Sequence, residues 1–460
     1  MNPSSASVST SPSPATLREW DRRHVWHAFT QMQEYQPFIV ERAEGCRLTD
    51  VDGNAYLDGV SSLWCNLHGH RHPKLDAAIV EQLGKVAHFT NLGGSNPTTI
   101  AFAKRLVEIS PPGLEHVFFS DSGASAVEVA LKMAFQYWQQ VPDPQPQKTK
   151  FLALDEAYHG DTIGSVSVGA VDQFHATFRP LLFETYRAPA PDTYRLPPGV
   201  TQERATEHYL AQAERVLAEH ADTIAGVIVE PLVQGAAGMI MHPPGYLAGL
   251  RALTKKYGTL LVADEVAVGF GRTGTMFACE QEQVTPDILC LGKGITAGYL
   301  PVAATLATDE VYSAFLGTYA SSRTFFHGHT YGGNPLGCAV GLASLDVFEE
   351  ERTLERLGPK IDLMRERLLE IAGLPHVGHV RQCGFIGAIE LVRDVETREP
   401  FPWQERRGYR VCEEALRHGV WIRPLGSVII VMPPLSIEAD DLDQIFDAVE
   451  YGIAAATRDR

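Results

Sequence analysis

From about residue 115 the chain alternates short runs that are apolar throughout with segments of helical periodicity. HVFFS leads into SAVEVALKMAFQYW, and FLAL, AGVIVE, TLLVA and ILCL follow at intervals that leave room for helices. A strand with no polar face is buried on both sides, and such strands separated by helices form a mainly parallel sheet covered on each face. The proline-rich stretches VPDPQPQ and APAPDTYRLPPG read as loops. After about residue 345 the pattern changes: charged helical segments lead to VGHVRQCGFIGAIEL and GVWIRPLGSVIIVMPP, strands of an α+β unit. A chain of 460 residues exceeds one small core. We expect an α/β large domain over 67–345 and a smaller α+β domain drawn from both termini, 19–66 and 346–460. MNPSSASVSTSPSPA lacks a basic start and an apolar centre, so residues 1–18 read as a disordered tail, not a secretory signal.

A formal charge of -17 argues against nucleic acid and anionic membrane surfaces as partners, since both demand basic patches. No apolar run reaches the roughly 18 residues of a membrane span. Seven cysteines without a CxxC pair indicate a reducing compartment, and the cytoplasm is the expected location. His68, His70 and His72 in HGHRHP have no carboxylate or cysteine at ligand spacing, so no metal is expected there.

Ligands of open α/β sheets bind at the carboxyl ends of parallel strands. TLLVADEV ends in Asp264, and DILCLGKG delivers Lys293 between two glycines. Alone, a lysine is a solvated surface group and an Asp after a strand is a turn or cap. Together at equivalent strand ends they match pyridoxal phosphate, which requires a lysine for its covalent link and a carboxylate to keep its pyridine nitrogen protonated. That cofactor also needs a phosphate site. In FFSDSGASAVEVALK a strand ends, Ser122 and Gly123 turn the chain, and a helix N-terminus presents free N–H groups to an anion. Ser122 acting only as a helix cap is the simpler alternative. DEAYHGDT puts Tyr158 and His159 on another strand-end loop, and FGRTG around Arg272 reads as a turn with a packed arginine.

LLVADEVAVGFGRTG, PDILCLGKGITAGYLP and HGHTYGGNPLGCAV resemble the class III aminotransferases, fold-type I pyridoxal phosphate enzymes, over about residues 20–455. HVWHAFTQM, DGVSSLWCNLHGHRHP, AYHGDTIGSVSVG, VQGAAGM and GVWIRPLG are similar to the branch that converts 8-amino-7-oxononanoate to 7,8-diaminononanoate in biotin biosynthesis. The resemblance implies that Lys293 carries pyridoxal 5'-phosphate and Asp264 faces its ring nitrogen. It gives Ser122, Gly123 and Ala124 to the phosphate and Tyr158 to the ring and substrate, and places the acidic Glu230 near the cofactor. His329 and Thr330 would approach the phosphate from a second subunit, making a homodimer with its active site at the interface. Phe29, Trp64 and Gly328 would line the substrate channel, and Arg423 would hold the substrate carboxylate. The partners implied are a small-molecule amino donor and a keto acceptor.

The chain departs from the family pattern at three places. Ala124 replaces a common serine, which leaves backbone donors intact. Leu63-Trp64 replaces paired tryptophans, and Phe29 replaces a tyrosine. Fewer aromatic walls disfavour a sulfonium and adenine donor, so L-lysine is the expected donor and S-adenosylmethionine a poor one. A broad amine:pyruvate transaminase and a catalytically silent cofactor-binding homologue are the competing functions. An intact Lys293, Asp264 and Thr330 speak against the silent one.

Overall fold

The protein is represented by a computed structural model that describes residues 12–458. A seven-stranded sheet runs in the order Leu114–Ser120, Ala303–Thr308, Ile288–Leu291, Leu260–Asp264, Ile224–Val229, Lys150–Leu154, Tyr186–Ala188. Only Ala303–Thr308 is antiparallel to its neighbours; the other six strands point the same way. Every residue of the three central strands is buried, which is why those segments carry no polar face. Alternate residues serve opposite layers. Ile228, Val262 and Ile288 pack with Val127, Ala130, Leu131 and Ala134 of the helix Gly123–Gln140. Val227, Leu261 and Leu289 face the larger core on the other side.

Chain from both ends builds the second region. Ala55–Asp58 pairs antiparallel with Arg47–Asp50 and parallel with Val420–Trp421, far along the sequence. Val377–Cys383, Ile386–Asp394, Val428–Val431 and Pro424–Leu425 make a separate antiparallel sheet. Arg272 is wholly buried and donates to the Pro433 carbonyl at 2.6 Å and to the Asn66 carbonyl at 2.8 Å. It thereby ties segments from both ends of the chain to the turn that carries it.

The expected tail over 1–18 is too long. Residues 1–11 lie outside the described residues, but Pro14–His24 is a helix. Ser13 caps it by accepting the Thr16 N–H at 3.1 Å, and proline at the first helical position presets φ at no hydrogen-bond cost. Among the described residues no helix is long and apolar enough to cross a membrane. His68, His70 and His72 turn to separate partners, Ser344, Asp58 and Glu351.

Candidate active site

Asp264 pairs with Cys290 across two parallel strands, so the loop opening at Gly292 emerges beside it. Lys293 begins the turn that follows, with φ of +41°, a left-handed value that a side chain rarely adopts. Its flanking glycines answer to crowding. A Cβ on Gly292 would stand 3.1 Å from Val266 Cγ1 and 3.3 Å from Gly123 Cα, and one on Gly294 would stand 3.0 Å from Phe270 Cβ. The Lys293 Nζ reaches the ring of Trp64, 5.0 Å from its centroid. Trp64 is itself left-handed at φ +63°. Lys293 keeps part of its surface open, yet burial pushes its amine below the ordinary lysine range, with Asp264 and then Glu230 pulling the other way. A lysine so placed carries more free amine near neutral pH than a surface one.

Asp264 is 5 % exposed. Its Oδ2 meets His159 Nδ1 at 2.7 Å and its Oδ1 accepts the Val266 N–H at 3.1 Å. The carboxylate is therefore fixed in direction by a buried imidazole whose other nitrogen has no partner among the described residues. Glu265, the next residue, is turned away: it accepts the N–H groups of Ala278 and Cys279, and burial lifts its carboxyl to about 7.

The helix Gly123–Gln140 begins against this loop. Ser122 does cap it, its Oγ accepting the Ser125 N–H at 3.2 Å. Gly123 and Ala124 lie in the first turn, where N–H groups have no intrahelical acceptor, and no acidic residue occupies that turn. Gly160 passes the helix start at φ +120°, where a Cβ would lie 2.5 Å from that of Ala124. Asp121 lies just before the cap and binds His329 Nδ1 at 3.0 Å. Although burial pushes its carboxyl up, hydrogen bonds from His329 and Ser125 bring it below the usual range. Gly328, His329 and Thr330 are exposed, and apart from that one tie to Asp121 they are not drawn into the site of their own chain.

Tyr158 donates its hydroxyl to Asp161 at 2.9 Å, and burial first, then Asp161, push its phenol upward. Its ring lies parallel to that of His175, centroids 6.0 Å apart, and edge-on to Phe174 at 6.2 Å. Phe29 closes the group, 5.2 Å from Phe174. Glu230 sits past the end of the neighbouring strand and accepts the Tyr158 N–H at 3.0 Å. Arg423, half-buried after Val420–Trp421, makes no ion pair and no side-chain hydrogen bond among the described residues. The commoner fate of an arginine, a structural salt bridge, is not realised at this one.

A buried amine, a buried carboxylate locked by histidine and a helix N-terminus thus share one sheet edge. These residues fit pyridoxal phosphate: an amine for its carbonyl carbon, an anion for its ring nitrogen, free N–H groups for its phosphate. The sequence alone assigned no role to Val266, which a Cβ on either Gly123 or Gly292 would crowd, or to Asp121, Phe174 and His175. Each is recognisable only once distant segments meet.

The description Aminotransferase class-III matches residues 29–453. The chain belongs to the class-III aminotransferases. These enzymes use pyridoxal 5'-phosphate and have the fold-type I architecture. The chain is 54% identical to the adenosylmethionine-8-amino-7-oxononanoate aminotransferase of Geobacter sulfurreducens, over 96% of this chain and 98% of that one. The crystal structure of the enzyme so named from Methanocaldococcus jannaschii superposes with a TM-score of 0.91 at 45% identity, covering 96% of this chain and 99% of that one. An (S)-enantioselective omega-transaminase from Thermomicrobium roseum gives 0.93 at 34% identity, covering 98% and 100%.

Proposed function

We propose that this class-III aminotransferase moves an amino group onto 8-amino-7-oxononanoate, giving 7,8-diaminononanoate for biotin synthesis. The relatives' names support the acceptor, and the observation that carries it is Arg423, a half-buried guanidinium with no protein carboxylate to satisfy it. An acceptor ending in a carboxylate supplies the missing partner as a bidentate pair. Replacing Arg423 by alanine raises KM for this acceptor by about 30- to 1000-fold, the loss of a partly buried charged pair. Steady-state assays with an uncharged ketone alongside check it: equal damage to both acceptors makes Arg423 structural.

Pyridoxal phosphate, when bound, supplies the electron sink for the carbanion at the reacting carbon. The protein's own part is positioning and proton transfer. Lys293 would hold the cofactor, and its amine, when free, would take a proton from the donor carbon and deliver one to the acceptor carbon. Asp264, aimed by His159, would face the ring nitrogen. Tyr158 would cover the site, and Trp64 lies over the lysine amine.

Phe29, Phe174, Tyr158 and His175 give aromatic faces beside the Asp161 carboxylate, surroundings that suit a sulfonium and an adenine. Counting only Leu63 and Phe29 missed the contribution of Phe174 and His175. With the relatives named for adenosylmethionine, this reverses the expectation of lysine. S-adenosylmethionine is the donor we propose. Mixed separately with the yellow holoenzyme, S-adenosylmethionine bleaches the visible cofactor band rapidly and lysine does so slowly or not at all; the opposite result restores lysine.

The exposed Leu316, Tyr319, Phe326 and Tyr331 flank the Gly328–Thr330 segment. A second copy covering this apolar strip makes a homodimer in which Thr330 serves the partner's phosphate site. The seven free cysteines suit the cytoplasm. The omega-transaminase likeness keeps one second reading, a broad amine:pyruvate transaminase. Turnover of simple amines with pyruvate, and none with 8-amino-7-oxononanoate, would establish it.

A further inference from the structure

Glu230 is the first residue beyond Ile224–Val229, the strand beside that of Asp264. It is 5 % exposed. Its Oε1 accepts the Tyr158 N–H at 3.0 Å and its Oε2 the Gly235 N–H at 2.9 Å. Each carboxylate oxygen retains a further acceptor position, and among the described residues no arginine, lysine or histidine forms an ion pair with it. Burial, with Asp264 adding to it and His159 opposing, raises this carboxyl to about 7. An unpaired buried carboxylate is costly unless a cation arrives to balance it.

Its surroundings place that cation beside the reacting centre. A Cβ on Gly235 would lie 3.5 Å from Trp64 Cζ3 and 3.7 Å from Glu230 Oε2, so carboxylate and indole rest on the same glycine. The Lys293 amine lies over the same indole, 5.0 Å from its centroid. Glu230 is, after Asp264, the carboxylate that acts most on that amine. By its constitution 8-amino-7-oxononanoate carries an ammonium on the carbon next to the ketone and a carboxylate at the far end of the chain. Its recognition needs a cation for the remote end and an anion beside the carbonyl.

We propose that Glu230 is a specificity-determining residue that accepts a hydrogen bond from the ammonium adjacent to the acceptor's ketone. This rests on the acceptor proposed above. Glu230 then complements Arg423, and the two together set the direction in which the substrate lies. The same charge discriminates against plain keto acids, which bring no cation to this position.

The test compares 8-amino-7-oxononanoate with 7-oxononanoate, which lacks only the amino group, by KM and by calorimetric binding to the holoenzyme. The wild type prefers the amino ketone by about 10- to 100-fold, the range for a charge-assisted hydrogen bond, and Glu230→Gln brings the two within about threefold by weakening the amino ketone alone. Equal weakening of both ketones in Glu230→Gln, or a preference that survives the change, overturns the proposal. Should Glu230→Gln lose its fold, as judged by melting and the cofactor band, the wild-type pair decides: preference for the amino ketone upholds it and indifference overturns it. A wild type that accepts pyruvate but neither ketone refutes the acceptor itself, a result distinct from indifference between two good acceptors.

Discussion

Lys293→Ala retains bound pyridoxal phosphate but loses turnover by about four orders of magnitude or more, the upper range for removing a positioned acid–base group. In the proposed mechanism the side chain is both the resting attachment of the cofactor and the proton carrier, so no neighbour substitutes for it. Trp64, which lies over its amine, has no basic nitrogen, and Asp264 is tied to His159. Binding survives because the helix N-terminus at Gly123 and the carboxylate at Asp264 are separate from the lysine. Rapid-mixing absorbance with donor, together with cofactor content measured after dialysis, checks both halves. Turnover within tenfold of wild type would remove Lys293 from the chemistry.

Asp264→Asn has the second largest effect. The substitution preserves shape but removes the charge proposed to face the ring nitrogen, and it replaces an acceptor oxygen facing His159 Nδ1 with an amide. Loss of a preorganised charge at a reacting centre costs about 100- to 10,000-fold in kcat, with KM for the ketone changed much less. A rise in KM with kcat preserved would show that Asp264 organises the pocket and not the cofactor. Among the described residues Asp264 accepts bonds from two groups, so the melting temperature of the variant is expected to stay close to that of the wild type.

The central strands were legible because burial on both faces forces an unbroken apolar run, as in Leu260–Asp264 and Ile288–Leu291. Two strands of the sheet were not. Tyr186–Ala188 is only three residues long, and Ala303–Thr308 is a run of small residues with two threonines, too weakly apolar to stand out. The helix at Pro14 hid inside a serine- and proline-rich stretch whose cap and first-turn proline resemble linker composition. At the site, Lys293 and Asp264 were visible because each ends such an apolar run. The lock of His159 on Asp264 and the stacking of His175 on Tyr158 were not, since a contact between loops leaves no local period. Arg423 could be named in advance, but its lack of a protein partner belongs to the three-dimensional arrangement alone.

The pairing of Leu57 with Val420 has a consequence for how the enzyme comes into being. During synthesis the N-terminal hairpin leaves the ribosome early and waits, one edge unpaired, until nearly all the remaining chain has followed. Trp64 follows Ala55–Asp58 and Arg423 follows Val420–Trp421, so both flank this distant pairing, whereas the strands around Lys293 lie closer together in sequence. Contacts so distant in sequence are slow to form. The order of assembly that these separations favour is the sheet carrying Lys293 first and the substrate-choosing end of the site afterwards.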